Sequence, residues 1–328
     1  MKKSIIALAV VAAGFAQADG TVLFGEAKTT YTLDTGDRVA NSVGKLKSKT
    51  SSKFDVDGKF GIKGTDDLGN GMTAFYQFET GKDGSFGAKK AFAGIKGDFG
   101  TFSFGNQATP RDMLGNFSDP SNQLGSSSWK VGEDNDGDDI NEGRSAFDSK
   151  ANSAAYISPD MGGVTVAAAI VADGEGGVDR HVDGYDLLAQ YSANGIYAGI
   201  GFQGTTDKAS TKNLGLGLGY GNDAFNVGLL VEKELTKGKN TPDPVFARLG
   251  GSYNVSDADS IYGTISYYDD DQKNTKPGIT GAVGYQHTFS KQTKAWVEYG
   301  YANKKANIWD GKNKDTSNKF GVGLKTVF

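Results

Sequence analysis

Between Lys53 and Lys63 the chain alternates strictly. Lys53, Asp55, Asp57, Lys59 and Lys63 fall on one phase, and Phe54, Val56, Gly58, Phe60 and Ile62 on the other. A period of two belongs to a β-strand with one wet face and one apolar face. The pattern recurs to the last residues, where Phe320, Val322, Leu324, Thr326 and Phe328 alternate with Gly321, Gly323, Lys325 and Val327. About sixteen such segments can be marked, an even number of the size that closes into a large antiparallel barrel. They cover 21–33, 51–64, 72–80, 87–97, 101–108, 145–158, 163–172, 183–193, 196–204, 212–220, 224–234, 244–255, 260–269, 278–289, 293–303 and 317–328.

The connections alternate as well. Every second one is short and turn-like: Asp66–Gly71, Asp98–Gly100, Pro159–Gly162, Asn194-Gly195, Gly221–Asp223, Ser256–Asp259 and Ser290–Gln292. Asn-Gly is a strong hairpin signal, and Asp, Ser and Gly tolerate the required dihedrals. Those between are mostly longer and polar: Asp34–Thr50, Thr109–Arg144, Asp173–Val182 and Lys304–Thr316. Short turns at one end and long loops at the other are the pattern of barrels that span a membrane. Aromatics such as Phe75, Phe102, Tyr156, Tyr197, Tyr220, Tyr262 and Trp296 fall within a few residues of the short turns, as an interfacial girdle would place them.

Composition agrees. Apolar residues make up 37% of the chain, low for a protein that must fill a solid core. A barrel with water inside needs less, because each strand buries one face. Cysteine is absent, which removes disulfides, Cys-zinc sites and thiol nucleophiles together.

Residues 1–18 read as a secretory signal. Lys2 and Lys3 precede an apolar run from Ile5 to Phe15, and Ala16-Gln17-Ala18 forms a small-residue cleavage pattern. The expected mature barrel, residues 19–328, loses two lysines with this segment and drops from a formal charge of −4 to −6. That disfavours nucleic acid as a partner. After residue 18 no segment approaches the ~20 apolar residues of a membrane helix. Membrane residence then requires a closed barrel, which satisfies every backbone hydrogen bond in lipid.

Thr109–Arg144 is the longest stretch without strand periodicity, and acids dominate it. A structureless stretch of that length in a compact domain is functional or disordered. It is expected to fold into the barrel mouth and to set the width and charge of a pore. Its later tract, Glu133, Asp134, Asp136, Asp138 and Asp139, invites a calcium reading. The spacing fails the EF-hand pattern, because the glycine falls too early and position twelve from Asp134 is Ser145. Solvated vestibule acids that draw cations to the entrance fit better.

Two other motifs carry no catalytic chemistry. The glycines of Gly215-Leu-Gly-Leu-Gly-Tyr-Gly221 recur every two residues, so they line one face of a strand, where they widen a lumen or permit close packing. A dinucleotide fingerprint needs another spacing and a following helix. The two histidines, His181 and His287, lack any local nucleophile signature, and neither an enzyme activity nor a cofactor nor a metal is expected.

With these residues in view, the chain resembles the trimeric general-diffusion porins of Gram-negative outer membranes. The resemblance rests on Asp19-Gly-Thr-Val-Leu-Phe-Gly25, Lys59-Phe-Gly-Ile-Lys-Gly64 with Asp67-Leu-Gly-Asn-Gly71, Lys89-Lys-Ala-Phe-Ala-Gly-Ile-Lys96 and Asn152-Ser-Ala-Ala-Tyr-Ile-Ser-Pro159, in that order. It implies an all-β, sixteen-stranded antiparallel transmembrane barrel whose third loop folds inward. It implies a homotrimer in contact with outer-membrane lipid and lipopolysaccharide, with Phe328 as the C-terminal aromatic read by the barrel-assembly machinery. It also implies a constriction in which loop acids face basic residues on the opposite wall. Arg111-Asp-Met-Leu-Gly-Asn-Phe-Ser-Asp119 matches the start of that loop. Asp112 matches a family acid, Asn116 replaces a second one, and Asp119 stands nearby. Lys59, Lys89 and Lys150 fall where the family carries basic wall residues.

The resulting expectation is a passive, water-filled outer-membrane channel for small hydrophilic solutes and ions, weakly cation-selective because of its acidic loop and net charge. The competing readings are an adhesin that uses its long loops and a substrate-specific sugar channel.

Overall fold

The computed structural model describes residues 20–40, 46–81, 90–115, 117–122, 124, 150–172, 182–206, 211–235, 243–269, 271, 277–303 and 316–328. They form one closed antiparallel barrel. Its strands are β1 (Gly20–Ala40), β2 (Leu46–Gly69), β3 (Met72–Gly81), β4 (Lys90–Gly97), β5 (Gly100–Ala108), β6 (Lys150–Ile157), β7 (Val164–Val171) and β8 (Gly184–Ala193). They continue with β9 (Ile196–Thr205), β10 (Lys212–Gly221), β11 (Phe225–Glu234), β12 (Val245–Asn254), β13 (Asp259–Asp269), β14 (Gly278–Thr288), β15 (Thr293–Ala302) and β16 (Ser317–Val327). Each strand pairs with its neighbours in sequence, and β1 closes the ring against β16 from Glu26↔Val327 to Gly36↔Ser317.

Alternation along each strand separates two phases. The apolar phase is exposed over the whole wall, as at Ile200, Leu216, Leu218, Leu249, Ile265, Val283 and Leu324. The other phase carries glycine, polar and charged residues. On β10 the two interleave as Gly215, Gly217 and Gly219 against Leu216, Leu218 and Tyr220. In a closed barrel these phases point to opposite sides of the wall. Exposed apolar side chains in such numbers would be a liability in water, and are the normal lipid face of a membrane barrel.

The short connections are tight. Asn194 and Gly195 both lie in the left-handed region, with φ of 53° and 80°, as a two-residue hairpin turn of the primed type requires. Asn70 and Gly71 repeat this, with φ of 53° and 77°.

Two expected loops are shorter than the sequence indicates. Asp66 and Asp67 continue the ladder opposite Ala74 and Thr73, so the turn expected over Asp66–Gly71 contracts to its last two residues. The Asp67 carboxylate accepts the Gly69 N–H at 2.8 Å, and charge at a wet strand end does not oppose pairing. Asp34–Thr50, expected as a loop, is largely strand. β1 and β2 stay paired up to Ala40↔Leu46, with one register shift between Gly36 and Val39. Its Ser, Thr and Lys residues are polar on both phases, which hides the alternation while the two strands still satisfy each other's backbone.

Candidate pore loop and the wall that holds it

After β5 the chain turns at Thr109-Pro110-Arg111 into a single helical turn, α1 (Asp112–Gly115). Asp112 N–H donates to Thr109 C=O at 3.1 Å, and Leu114 N–H to Arg111 C=O at 2.9 Å. Ser118 N–H closes onto Gly115 C=O at 3.0 Å. The segment to Leu124 then meets one strand after another, always on the phase that alternates with the exposed apolar residues.

The first anchor is Arg111. Its backbone N–H donates to Asp186 Oδ1 of β8 at 3.0 Å, and its guanidinium forms a buried ion pair with Glu232 of β11. Gln203 Nε2 of β9 donates to the other Asp186 oxygen at 3.3 Å. A charge buried this deeply is tolerated only with a partner in place.

A lane of small residues receives the apolar part. Leu114 lies over Gly199 and Gly201 of β9 and over Gly215 and Gly217 of β10. Phe117 covers Gly219 and Gly228, and stacks on Tyr197 with ring centroids 5.3 Å apart. A Cβ at Gly215 would come within 2.6 Å of Leu114, and one at Gly219 would enter the Phe117 ring. Of the two roles expected for these glycines, close packing is the one their contacts display. Met113 and Leu114 join Leu188, Tyr197, Leu230, Phe246 and Tyr268 in one apolar cluster.

Arg248 of β12 is the second anchor and is 1% exposed. Its guanidinium donates to Gly115 C=O at 2.7 Å, to Ser118 Oγ at 2.9 Å and to Asp119 Oδ2 at 3.3 Å. Glu298 of β15 is the third. Its carboxylate accepts the backbone N–H groups of Asn122 at 2.6 Å and Leu124 at 2.7 Å, and the Tyr262 hydroxyl at 2.7 Å. Lys28 of β1 donates to Asn122 C=O at 2.9 Å, and Lys294 of β15 to Asn122 Oδ1 at 2.6 Å. The contacts thus run from β8 through β15 to β1.

The expected site residues are distributed as follows. Asp112 opens α1 and is half-buried. Asp119 is the partner of Arg248 and also accepts the Ser121 N–H at 3.1 Å. Lys59 lies on the charged phase of β2 and pairs with Glu79 of β3 at 3.4 Å. Lys90 is in register with Glu79 and so shares that phase. Lys89 lies outside the described residues, as do Asn116, His181, the signal segment and the acids Glu133, Asp134, Asp136, Asp138 and Asp139. Lys150 begins β6 opposite Ala108, at a position in alternation with the buried Ala151, Ser153 and Ala155. His287 faces Asp259 on the apolar phase beside Tyr285, with Nδ1 and Oδ1 2.7 Å apart.

Asp186, Glu232, Arg248, Glu298, Lys28 and Lys294 were not singled out from the sequence. A signal exists for some of them. Arg248 stands between Ala247 and Leu249 as a lone charge on the non-apolar phase of its strand, and Glu298, between Val297 and Tyr299, shares that phase of its strand with Lys294. Nothing local says which part of a distant loop they hold.

Comparison with known proteins agrees with this architecture. A family model described as Gram-negative porin matches residues 5–307. The major outer membrane protein P.IB of Neisseria lactamica is 28% identical over the whole of both chains. A second P.IB, from Neisseria gonorrhoeae, is 28% identical over 92% of this chain and 93% of its own. Among solved structures, an anion-selective porin from Comamonas acidovorans superposes with a TM-score of 0.72 at 18% identity, over 95% of this chain and all of its own. Salmonella typhi OmpF in complex with daunomycin gives 0.68 at 13% identity, over 94% and 98%. At such identities the structural likeness concerns the fold.

Proposed function

The chain belongs to the Gram-negative porin family and is an outer-membrane channel protein; from that premise we propose that Thr109–Leu124 lies inside the barrel, narrows a water-filled bore and limits passage to small hydrophilic solutes and ions. The observation that carries this reading is the strand-by-strand path of the segment. Between Arg111 and Asn122 it contacts β8 to β15 and then β1, on the phase opposite the exposed apolar face. Those eleven steps of chain span at most about 40 Å fully extended. Nine strand spacings of ~4.8 Å measure more than that along the wall. A chord across the interior covers that arc with chain to spare, and the contacted side chains lie on the phase opposite the exposed apolar residues.

Ion preference follows from which charges remain in the water path. The acidic composition favours weak preference for cations. At the narrow level the paired groups largely cancel one another. Asp119 is taken by Arg248, Glu232 by Arg111, and Glu79 by Lys59. Lys325 is likewise taken by Glu26, and Lys28 and Lys294 are hydrogen-bonded to Asn122. Nearby charges act strongly on ions where water is confined. The proposal is therefore weak cation preference, strengthened at the entrance by the acidic tract Glu133–Asp139.

The remaining elements of the reading concern maturation and assembly. Residues 1–18 are removed as a signal, the barrel works as a homotrimer among outer-membrane lipid and lipopolysaccharide, and Phe328 is recognised by the assembly machinery. The function is passage and not catalysis. Reconstitution into a planar bilayer tests the core of it. Large, stepwise, ohmic channels are expected. Their absence would favour an adhesin, and saturable block by one sugar would favour a substrate-specific channel. Reversal potential in a salt gradient gives the sign of the preference.

A further inference from the structure

Among the described residues of the loop, Asn122 is the one whose polar groups are all taken by the wall. Its N–H donates to Glu298 at 2.6 Å, and its C=O accepts Lys28 Nζ at 2.9 Å. Its side-chain Oδ1 accepts Lys294 Nζ at 2.6 Å, while Nδ2 donates to Tyr262 Oη and to Gln286 Oε1, both at 3.0 Å. These partners come from β1, β13, β14 and β15.

The register makes the two lysines unusual. Lys294 stands opposite Lys325, and Lys325 opposite Lys28, so three ammonium side chains share one row across adjacent strands. Like charges directly opposite one another repel. Lys325 has a carboxylate, Glu26, at 2.7 Å. Lys294 hydrogen-bonds two neutral acceptors, Asn122 Oδ1 and Gln286 Oε1. Lys28 ends on the Asn122 carbonyl, with its ammonium 5.7 Å from the Trp296 ring centroid.

We propose that Asn122 is a specificity-determining residue of the pore, because it holds the Lys28 and Lys294 ammonium groups against the wall and away from ions in transit. The inference rests on the channel reading above. Only an amide serves all the partners: Oδ1 accepts from Lys294 while Nδ2 donates to Tyr262 and Gln286. A carboxylate at this position would neutralise a lysine and lose both donated bonds. An apolar residue would leave Lys294 with Gln286 Oε1 as its one remaining acceptor of the two. Selectivity is thereby tied to loop position, since any shift of the loop at Asn122 returns two positive charges to the water path.

The test is a double-mutant cycle on the full mature barrel, read as zero-current potential in a potassium chloride gradient. Asn122→Ala is expected to raise the anion-over-cation permeability ratio about twofold, the effect of bringing one ammonium a few ångströms closer to a passing ion in water. Lys294→Met alone is expected to change the ratio little. In the Lys294→Met background the effect of Asn122→Ala should fall by at least half. An unchanged ratio in Asn122→Ala, or the same rise with and without Lys294, overturns the proposal. If Asn122→Ala yields no folded barrel, Lys294→Met decides: a large loss of anion permeability would mean that this ammonium already faces the ions. Absence of channels from the wild-type protein would sink the channel reading instead, so the two failures are distinct.

Discussion

Arg248 of the wall and Asp119 of the loop stand 3.3 Å apart, and the same guanidinium also reaches the carbonyl that ends the helical turn. The pair converts what looks like a pore acid into a fastening. Its strength comes from burial, since water does not replace either partner where Arg248 lies.

Removing Arg248 should therefore cost more than a surface pair would. Arg248→Ala leaves Asp119 and the Gly115 carbonyl without their donor, and breaking a buried pair from one side costs about 3–5 kcal/mol. The expected readout is a lower midpoint of thermal or urea unfolding in detergent, together with noisier single-channel current. Adding Asp119→Asn to Arg248→Ala should recover part of the loss, because one uncompensated charge is then gone. A midpoint equal to wild type would show that the pair holds nothing.

Asp112 opens the helical turn of the loop and is half-buried. Asp112→Asn is expected to shift the reversal potential toward anions, because a fixed negative charge near the narrow level is lost. An unmoved potential would mean that Asp112 does not face the narrow region.

The glycine lane makes a steric prediction. At Gly219 a Cβ would occupy the position of the Phe117 ring. Gly219→Val should leave the barrel folded and push Phe117 off the wall, changing single-channel conductance and the size limit for neutral solutes. Unchanged values for both would show that the loop does not depend on this contact.

The opposite phase of the same strand should behave in another way. Leu216 is half-exposed on the apolar phase. Leu216→Arg is expected to destabilise folding into lipid vesicles by about 2–4 kcal/mol if the residue lies near the bilayer midplane. Conductance of the fraction that folds should be unaffected. A stable variant with altered conductance would reverse the assignment of the two faces.

Much of this was legible along the chain. Alternation located the strands, and Asn194-Gly195 located a turn whose two positive φ values are those the dipeptide prefers. The phase of Lys59 was visible for the same reason. Polar strands were harder: the continuation of β1 to Ala40 has no alternation to betray it. The fastening of the loop was out of reach. Arg248 and Asp119 are 129 residues apart, and no period or spacing connects them. Asn122 gave no signal either, because an asparagine in a polar stretch looks the same whether it meets water or five wall groups.

The seam between β1 and β16 has a consequence for assembly. Thr35 and Asn318 meet there although 283 residues separate them. Every other strand finds its partner across a single connection, so hairpins can add one at a time. The seam must wait for the whole sheet to curl, and loop-closure entropy opposes it until then. In lipid, moreover, an open edge leaves backbone groups without partners. Insertion should therefore behave as an all-or-none event whose last step is circular closure, and a lesion at the seam should hinder biogenesis more than an equal lesion in the middle of the sheet.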